Sequence, residues 1–420
     1  MQTLRGTKDI LPEEAYNWQN IYYTINKLLN VYDYHEIKTP IIENTDLFLR
    51  TIGNYTDIVN KEMYTFKDQG QRVITLRPEG TASIARAYIS NKMYEKSKIN
   101  RLWYLGPMFR YERPQKGRQR QFHQLGIECI GTNSPIADIE VIRIANKVLE
   151  TFDLKSYVME INSIGNLDER TKYKEELVLY LNKYKQDLDL DSQKRLTNNP
   201  LRILDSKNTK TQNILVNAPK LTSYLNSESL KHFYTICEHL TYLNIPYQIN
   251  DKLIRGLDYY NYTTFEIKAE KLGTQNTICG GGRYDKLIEQ LGGPVTPSVG
   301  WAIGIERLLL LIKSKQAEKL NIYIIVQENE KKKEIWNVIK IIEECKITFN
   351  LNLTDNNFIK QLKQANISCA QICFIIGNKE IVNKYVTIKW LKNGEQQKIK
   401  LCHLKAYLNT HKYLFTNQKL

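Results

Sequence analysis

The stretch from Arg101 to Ile130 constrains this 420-residue chain more than any other. Leu102-Trp103-Tyr104-Leu105, in a run that ends at Arg110, reads as a strand, and Gln121 to Ile130 reads as a second. Between them stands Glu112-Arg113-Pro114-Gln115-Lys116-Gly117-Arg118, whose proline, glycine and charge mark a loop. Strand, basic loop, strand predicts an antiparallel hairpin. Arg110 closes its first arm, and a guanidinium at a strand end suits phosphate or carboxylate, because its planar fork donates two parallel charge-assisted hydrogen bonds. From spacing alone, a phosphate site and a solvated basic tip stand as equal readings.

Around the hairpin, helix and strand signals alternate. Trp18, Ile21, Tyr22, Ile25, Leu28 and Leu29 have helical spacing across residues 13–30, residues 36–40 read as a strand running into a turn, and Val73 to Leu76 reads as a buried strand before a helix from about Gly80. From Leu167 to about Tyr234 the text turns to long polar helices with weak apolar periodicity, which predicts an inserted helical module. Strand text resumes at Tyr247 and continues over residues 263–269. Gly280-Gly281-Gly282-Arg283-Tyr284-Asp285 reads as the opening of a helix, and residues 298–312 as strand into helix. The last hundred residues alternate strands and helices, a small α/β domain.

Composition narrows the class. The chain has 60 Lys+Arg against 45 Asp+Glu, a net charge of +15, with 42% hydrophobic and 25% charged residues, so it is globular and invites a polyanionic partner. The charge is uneven: residues 321–420 hold 16 lysines, no arginine and 8 acids. No apolar run approaches the ~20 residues of a membrane span, which predicts no membrane association. Seven scattered cysteines predict free thiols in a reducing compartment, with Cys369 and Cys373 read as core residues and no zinc cage. Arg5-Gly6-Thr7-Lys8-Asp9 follows Met1 almost at once, leaving no room for a targeting peptide.

Two further clusters could hold a ligand. Arg255, Asp258, Tyr259 and Tyr260 share an apolar context in which arginine and tyrosine need partners, either a structural network or a ligand. Gly300, Gly304, Glu306 and Arg307 lie on a strand-to-helix passage where glycine admits close backbone approach. The triple glycine lacks the spacing of a dinucleotide-binding loop.

Taken jointly, these motifs resemble those of the histidyl-tRNA synthetases, a family of class II aminoacyl-tRNA synthetases, over almost the whole chain. Arg5-Gly6-Thr7-Lys8-Asp9, Leu76-Arg77-Pro78-Glu79-Gly80-Thr81, and Phe109 to Pro114 through Phe122 to Glu128 are similar to the family's first two motif regions. Residues 300–307 resemble class motif three. Arg255-Gly256-Leu257-Asp258-Tyr259-Tyr260 is similar to the signature restricted to the histidine enzyme.

The resemblance implies an α+β fold: an antiparallel class II sheet flanked by helices, split into residues 1–165 and 236–320, with a helical insertion at 166–235 and a small α/β anticodon-binding domain at 321–420. It implies that L-histidine and ATP form histidyl-adenylate, whose acyl group passes to tRNA(His). Attack on the α-phosphate adds charge to a polyanionic centre, which preorganised cations stabilise. The implied catalytic residues are Arg110, Arg255 and Arg307. Arg118 and Arg307 would hold the far phosphate of ATP and Phe122 would stack on adenine, with Arg120 a weaker candidate for that base. Mg2+ would bridge the phosphates, held in no protein cage.

For histidine, the resemblance implies that Glu79, Thr81 and Gln124 take the α-amino group, that Glu128 and Tyr260 bond the imidazole, and that Tyr259 and Tyr284 line the pocket. A pocket built to hydrogen-bond its substrate needs no editing domain. Arg113, Gln115 and Lys116 would meet the tRNA acceptor end, the insertion would brace the acceptor stem, and the lysine-rich domain would read the anticodon. One departure concerns that domain: Asn356-Asn357 stands where the family usually has a glycine. A homodimer is implied, with the first motif region at its two-fold interface. The alternative is a non-catalytic, histidine-binding regulatory paralogue, which typically lacks the anticodon domain. A class II enzyme for another amino acid is a further reading, which the Arg255–Tyr260 element opposes. The Lys-, Asn-, Ile- and Tyr-heavy usage predicts a plastid-encoded protein of the chloroplast stroma, or a bacterial cytoplasmic one.

Overall fold

The computed structural model describes residues 1–53, 56–115, 117–273, 276–313, 322–327, 333–354 and 356–411. They fall into two compact units, Met1–Ser314 and Lys315–Leu420.

The first unit carries strands β1 (His35–Glu36), β2 (Ile42–Asn44), β3 (Tyr64–Lys67), β4 (Val73–Leu76), β5 (Asn100–Phe109), β6 (Gln121–Ile130), β7 (Val158–Ser163), β8 (Gln248–Ile249), β9 (Asn261–Lys268), β10 (Thr277–Arg283) and β11 (Ser298–Gly304). Eight of them form one sheet in the order β1-β5-β6-β11-β10-β9-β7-β8, antiparallel throughout its middle and parallel only at the two short edge strands. The expected hairpin is there: β5 and β6 pair antiparallel over ten residues each, from Asn100↔Ile130 to Phe109↔Gln121. β2, β4 and β3 make a separate small sheet. The strand expected at residues 36–40 stops at Glu36, and the chain re-forms a strand only beyond Pro40.

Helices pack on both faces of the large sheet. One face buries Ile21, Ile25 and Leu29 of the helix Pro12–Val31, one turn apart on a single stripe, against Trp103, Leu125, Ile127 and the helices Pro135–Thr151 and Ser227–Tyr242. On the other face lie Tyr104, Tyr88, Tyr259, Tyr260 and Tyr284. Where a helical module was expected, the chain forms the helices Leu167–Asn182, Leu190–Asn198 and Thr209–Leu215 with intervening 3-10 turns, and the helix Ser227–Tyr242 runs past residue 235. The apolar periodicity of the first is a narrow stripe, Tyr173, Leu177 and Leu181, which suffices because that helix docks by one edge. Buried Glu169 closes the capping box with Asn166 and also accepts from Asn226 N and Ser229 Oγ, so one carboxylate satisfies the amino ends of two helices.

The reading of Gly280-Gly281-Gly282 as a helix opening is corrected: all three glycines lie inside β10, and the short helix Leu287–Gln290 begins only beyond Asp285. A Cβ at Gly280 would collide with the Arg255 guanidinium, at Gly281 with the Gly300 carbonyl and Trp301, and at Gly282 with the Thr263 carbonyl. The glycines admit an arginine and two neighbouring strands at close range.

The second unit holds a five-stranded sheet of β12 (Ile322–Val326), β13 (Phe349–Leu351), β14 (Ile372–Ile376), β15 (Tyr385–Trp390) and β16 (Gln396–Lys400) in the order β13-β12-β14-β15-β16, with the first three parallel. Its core joins Ile322, Ile324 and Phe374 to the helices Ile335–Glu344 and Leu401–Thr410. Asn357 caps the helix Phe358–Ile367 by accepting from Lys360 N at 3.0 Å. Cys373 is core, but Cys369 is exposed, in a left-handed turn at φ +54 after that helix. Among the described residues no three His, Cys, Asp or Glu side chains gather as a metal site, and no helix is long and apolar enough to cross a membrane.

Candidate active site

A cleft of about 360 Å³ opens over β6, β9, β10 and β11, and its walls carry Arg110, Arg118, Arg255 and Arg307 together with Phe122 and Gln124. Three chain segments, each more than fifty residues from the next, thus deliver their arginines to one space. Each guanidinium is held. Arg110 donates Nε to the Pro78 carbonyl at 2.8 Å, lies 5.3 Å from the Phe122 ring centroid and stands 3.8 Å from Glu112. Arg118 bonds the same Glu112 at 2.8 Å. Arg307 donates to the carbonyls of Gly117 and Thr277, tying the hairpin loop to β10. Arg255 lies across Gly280 and pairs with Glu266, which Lys268 approaches at 3.7 Å.

The electrostatics of the cleft are set by these guanidiniums. Burial above all, and then the nearby cations Arg118 and Arg110, pull Arg307 down to about 10. Burial opposes charge on Arg255 most strongly, but Glu266 together with Tyr260, Cys279 and Tyr259 turns the balance and raises that guanidinium. Preorganised guanidiniums facing a cleft can stabilise charge that develops on a phosphate without reorganising at the moment of reaction.

Glu79, Thr81, Glu128, Tyr259, Tyr260 and Tyr284 come together as well, but as a buried cluster beside the cleft, without walls on it. Glu128 accepts from Thr81 Oγ1 at 2.8 Å and from the Tyr284 hydroxyl, and burial pushes its carboxyl up to about 8 despite those two bonds. Glu79 accepts the backbone N–H groups of Thr81 and Ala82 at 2.8 and 2.7 Å, capping the helix Thr81–Ser90; burial raises its carboxyl, and those N–H groups oppose the rise. Gln124 stands between the two sets on β6 and keeps an unbonded Oε1. A protonated Glu128 can donate a hydrogen bond and an ionised one can accept.

The hairpin tip separates from this site. Arg113 and Gln115 are exposed, Gln115 bridging back to Arg118, and Lys116 lies outside the described residues. Arg120 stacks its guanidinium on Tyr111 at 3.7 Å and has no wall on the cleft, and Gly6 of the amino-terminal motif packs on its side chain.

Two cleft residues, Glu266 and Arg202, carried no sequence motif. Glu266 and Glu112 are the partners of the arginines, and Glu306 accepts from His123 N and meets its Nδ1, both at 3.0 Å, which fixes the helix Ile305–Leu311 on β6. Arg202, from the insertion, lines the cleft and bonds Asp57 at 3.3 Å. A lone acid in the apolar run 263–269 was the one available signal for Glu266; Arg202 had none.

A family model described as histidyl-tRNA synthetase matches residues 6–308, and one described as an anticodon binding domain matches residues 321–411. The chain is 60% identical over 394 residues to the chloroplastic histidine–tRNA ligase of Gracilaria tenuistipitata var. liui, covering 93% of this chain and 94% of that one. It is 49% identical over 402 residues to the histidine–tRNA ligase of Acaryochloris marina, covering 95% and 94%. The crystal structure of apo S. aureus histidyl-tRNA synthetase superposes with a TM-score of 0.82 at 35% identity, covering 97% of this chain and all of that one.

Proposed function

From the premise that this chain belongs to the histidyl-tRNA synthetase family, we propose how its own residues divide the work. It is a histidine–tRNA ligase that joins L-histidine to tRNA(His) with ATP as co-substrate. The non-catalytic regulatory paralogue is not favoured, because the relatives matched over nearly their whole length at 48 to 60% identity are ligases and the anticodon-binding domain is present.

The reaction runs in two steps. The histidine carboxylate attacks the α-phosphate and releases pyrophosphate, then the terminal adenosine hydroxyl of the tRNA takes the acyl group and releases AMP. Arg110 and Arg255 flank the α-phosphate, while Arg307 and Arg118 hold the distal phosphates and Phe122 carries the adenine. The observation that supports this division is the convergence of four held guanidiniums on one cleft. Mg2+ arriving with ATP would supply neutralisation of phosphate charge, and among the carboxylates lining the cleft Glu112 and Glu266 would be the ones to hold it. Glu79, Thr81 and Gln124 take the substrate ammonium, Glu128 and Tyr260 the imidazole, with Tyr259 and Tyr284 as walls.

Arg113, Gln115 and Lys116 meet the acceptor end of the tRNA, while residues 166–235 brace its stem. Two chains pair through the first motif region, a reading supported by the half-exposed apolar side chains Ile42, Phe66 and Val73 on the small sheet. The compartment is a plastid, a reading supported by the 60% identity to a chloroplastic relative against 49% to that of Acaryochloris marina. Pyrophosphate exchange into ATP, run with each amino acid in turn, tests the assignment: exchange with histidine alone is expected, and exchange with none would return the chain to the regulatory reading.

A further inference from the structure

Beside the catalytic cleft lies a second cavity of about 300 Å³, between the insertion and the segment that follows β8. Arg202, Arg255 and Leu257 line both spaces and so form their common wall. The helix Leu167–Asn182 gives this cavity Arg170 and, one turn on, Lys174, the first of which donates to the Tyr260 carbonyl at 2.6 Å. Among the described residues neither cation makes an ion pair. Asp258 joins them from the signature element, exposed on the cavity wall, where Arg202, Arg170 and Lys174 all act on its charge. Its direction is fixed: Asn199 donates to Oδ1 at 3.3 Å, and a Cβ at Gly53 would collide with Oδ2. An acid kept for structure alone would pair with an arginine, yet Arg202 bonds Asp57 at 3.3 Å instead.

The remaining faces are apolar, from Ile164, Leu201, Ile254 and Leu257. A ligand that meets a fixed carboxylate, two unpaired cations and apolar walls carries an N–H donor, an anion and a ring, which together describe a nucleotide with an exocyclic amine. Position narrows the choice. The transfer step needs the hydroxyl of a terminal adenosine in the cleft, and the cavity adjoins that cleft at Arg255. We propose that the cavity binds the base and 5′-phosphate of the terminal adenosine of the tRNA, with Asp258 accepting from the adenine amine and Arg170 and Lys174 meeting the phosphate. The ribose hydroxyls then stand at the common wall. An unstacked RNA base is read in this manner, by a surface against its ring and a hydrogen bond to its edge. The site goes beyond the division of the cleft between ATP and histidine and rests on the ligase reading.

The test uses tRNA(His) transcripts ending in adenosine or in inosine, whose base presents a carbonyl where adenine presents its amine. Loss of one hydrogen bond to a charged group predicts that the parent favours adenosine in kcat/KM for aminoacylation by roughly ten- to a hundredfold. Asp258→Asn should abolish or reverse that preference, because a carboxamide can donate to the carbonyl. The ratio compares two tRNAs on one protein, so a general loss of stability cancels from it. A preference that Asp258→Asn leaves unchanged would overturn the proposal. So would a parent indifferent to the terminal base but sensitive to uridine in place of the penultimate cytidine, which would give the cavity to that nucleotide. Lys174→Gln should raise the KM for tRNA severalfold, with histidine-dependent exchange run without tRNA unchanged; an unaltered KM would overturn the phosphate contact. If the parent shows no exchange with histidine, the ligase reading itself fails; if it does and the preference does not follow Asp258, this inference alone fails.

Discussion

In the unit Met1–Ser314 the cations that matter are arginines held by carbonyls, a ring and carboxylates: Arg110 on Pro78 and Phe122, Arg307 on Gly117 and Thr277, Arg255 on Gly280 and Glu266. Residues 321–420 carry sixteen lysines and no arginine, and those of the helix Phe358–Ile367 and of β16 stand exposed on flexible stems. The difference is physical. A guanidinium fork fixed in place stabilises charge at one point in space, whereas a lysine field raises the local concentration of a polyanion without specifying its pose. The net charge of +15 therefore has two parts, and different substitutions should affect different steps.

The largest effect is expected at Arg255. Arg255→Ala should lower the kcat of histidine-dependent exchange by roughly 10²- to 10³-fold, the usual cost of one transition-state donor, while the KM for histidine changes little. The fold should survive, because Lys268 remains beside Glu266. Arg255→Lys should recover little of the rate, since an ammonium cannot reproduce the fork. An exchange rate close to that of the parent would put Arg255 among structural arginines and erase the contrast between the two units.

Next in size is a pH effect confined to the first unit. Burial raises Glu128 to about 8, above the ordinary carboxylate value of 4.5, so between those two values the folded state binds a proton that the unfolded chain has lost. Stability without substrate should therefore be fullest below the ordinary value and decline as pH rises towards 8, by up to about 1.4 kcal/mol per unit. Glu128→Gln should flatten that decline, read as the melting temperature against pH. Histidine should lessen it in the parent, by bringing a cation to the ionised form.

What was legible in the sequence follows the same division. The hairpin, Arg110, Arg255 and Arg307 announce themselves, because a charged side chain at the end of an apolar run or beside glycines breaks a local pattern. Gly280-Gly281-Gly282 misled for the same reason: glycines read locally suggest a turn, yet here they serve contacts across strands with Arg255, Gly300 and Thr263, which no local window contains. Tyr104 was invisible, since a tyrosine inside Leu102-Trp103-Tyr104-Leu105 satisfies every strand preference. Only the register that sets it on Gly126, and the glycines Gly80 and Gly126 that leave room for its ring, distinguish it. The insertion's Arg202 lay in polar helical text and was equally silent. Pattern reveals residues whose neighbours in sequence are also their neighbours in function, and long-range pairing supplies the rest.

The smallest effect should fall on the second unit and only on tRNA. Lys360 and Lys363 are exposed one turn apart on the helix Phe358–Ile367, and Lys398 lies 5.2 Å from the Tyr385 ring on the neighbouring strand, a cation beside an aromatic face of the kind on which an unstacked base can rest. Each lysine that neutralises a phosphate contributes about one unit to the slope of log affinity against log salt. The triple change Lys360→Gln, Lys363→Gln and Lys398→Gln should therefore raise the KM for tRNA(His) severalfold at moderate ionic strength and flatten its salt dependence, with exchange untouched. Tyr385→Ala should raise the same KM without altering the slope, because stacking releases no counterions. A triple variant that slowed exchange as well would mean that the lysine field acts on adenylate formation, and the separation of held from diffuse charge would fail.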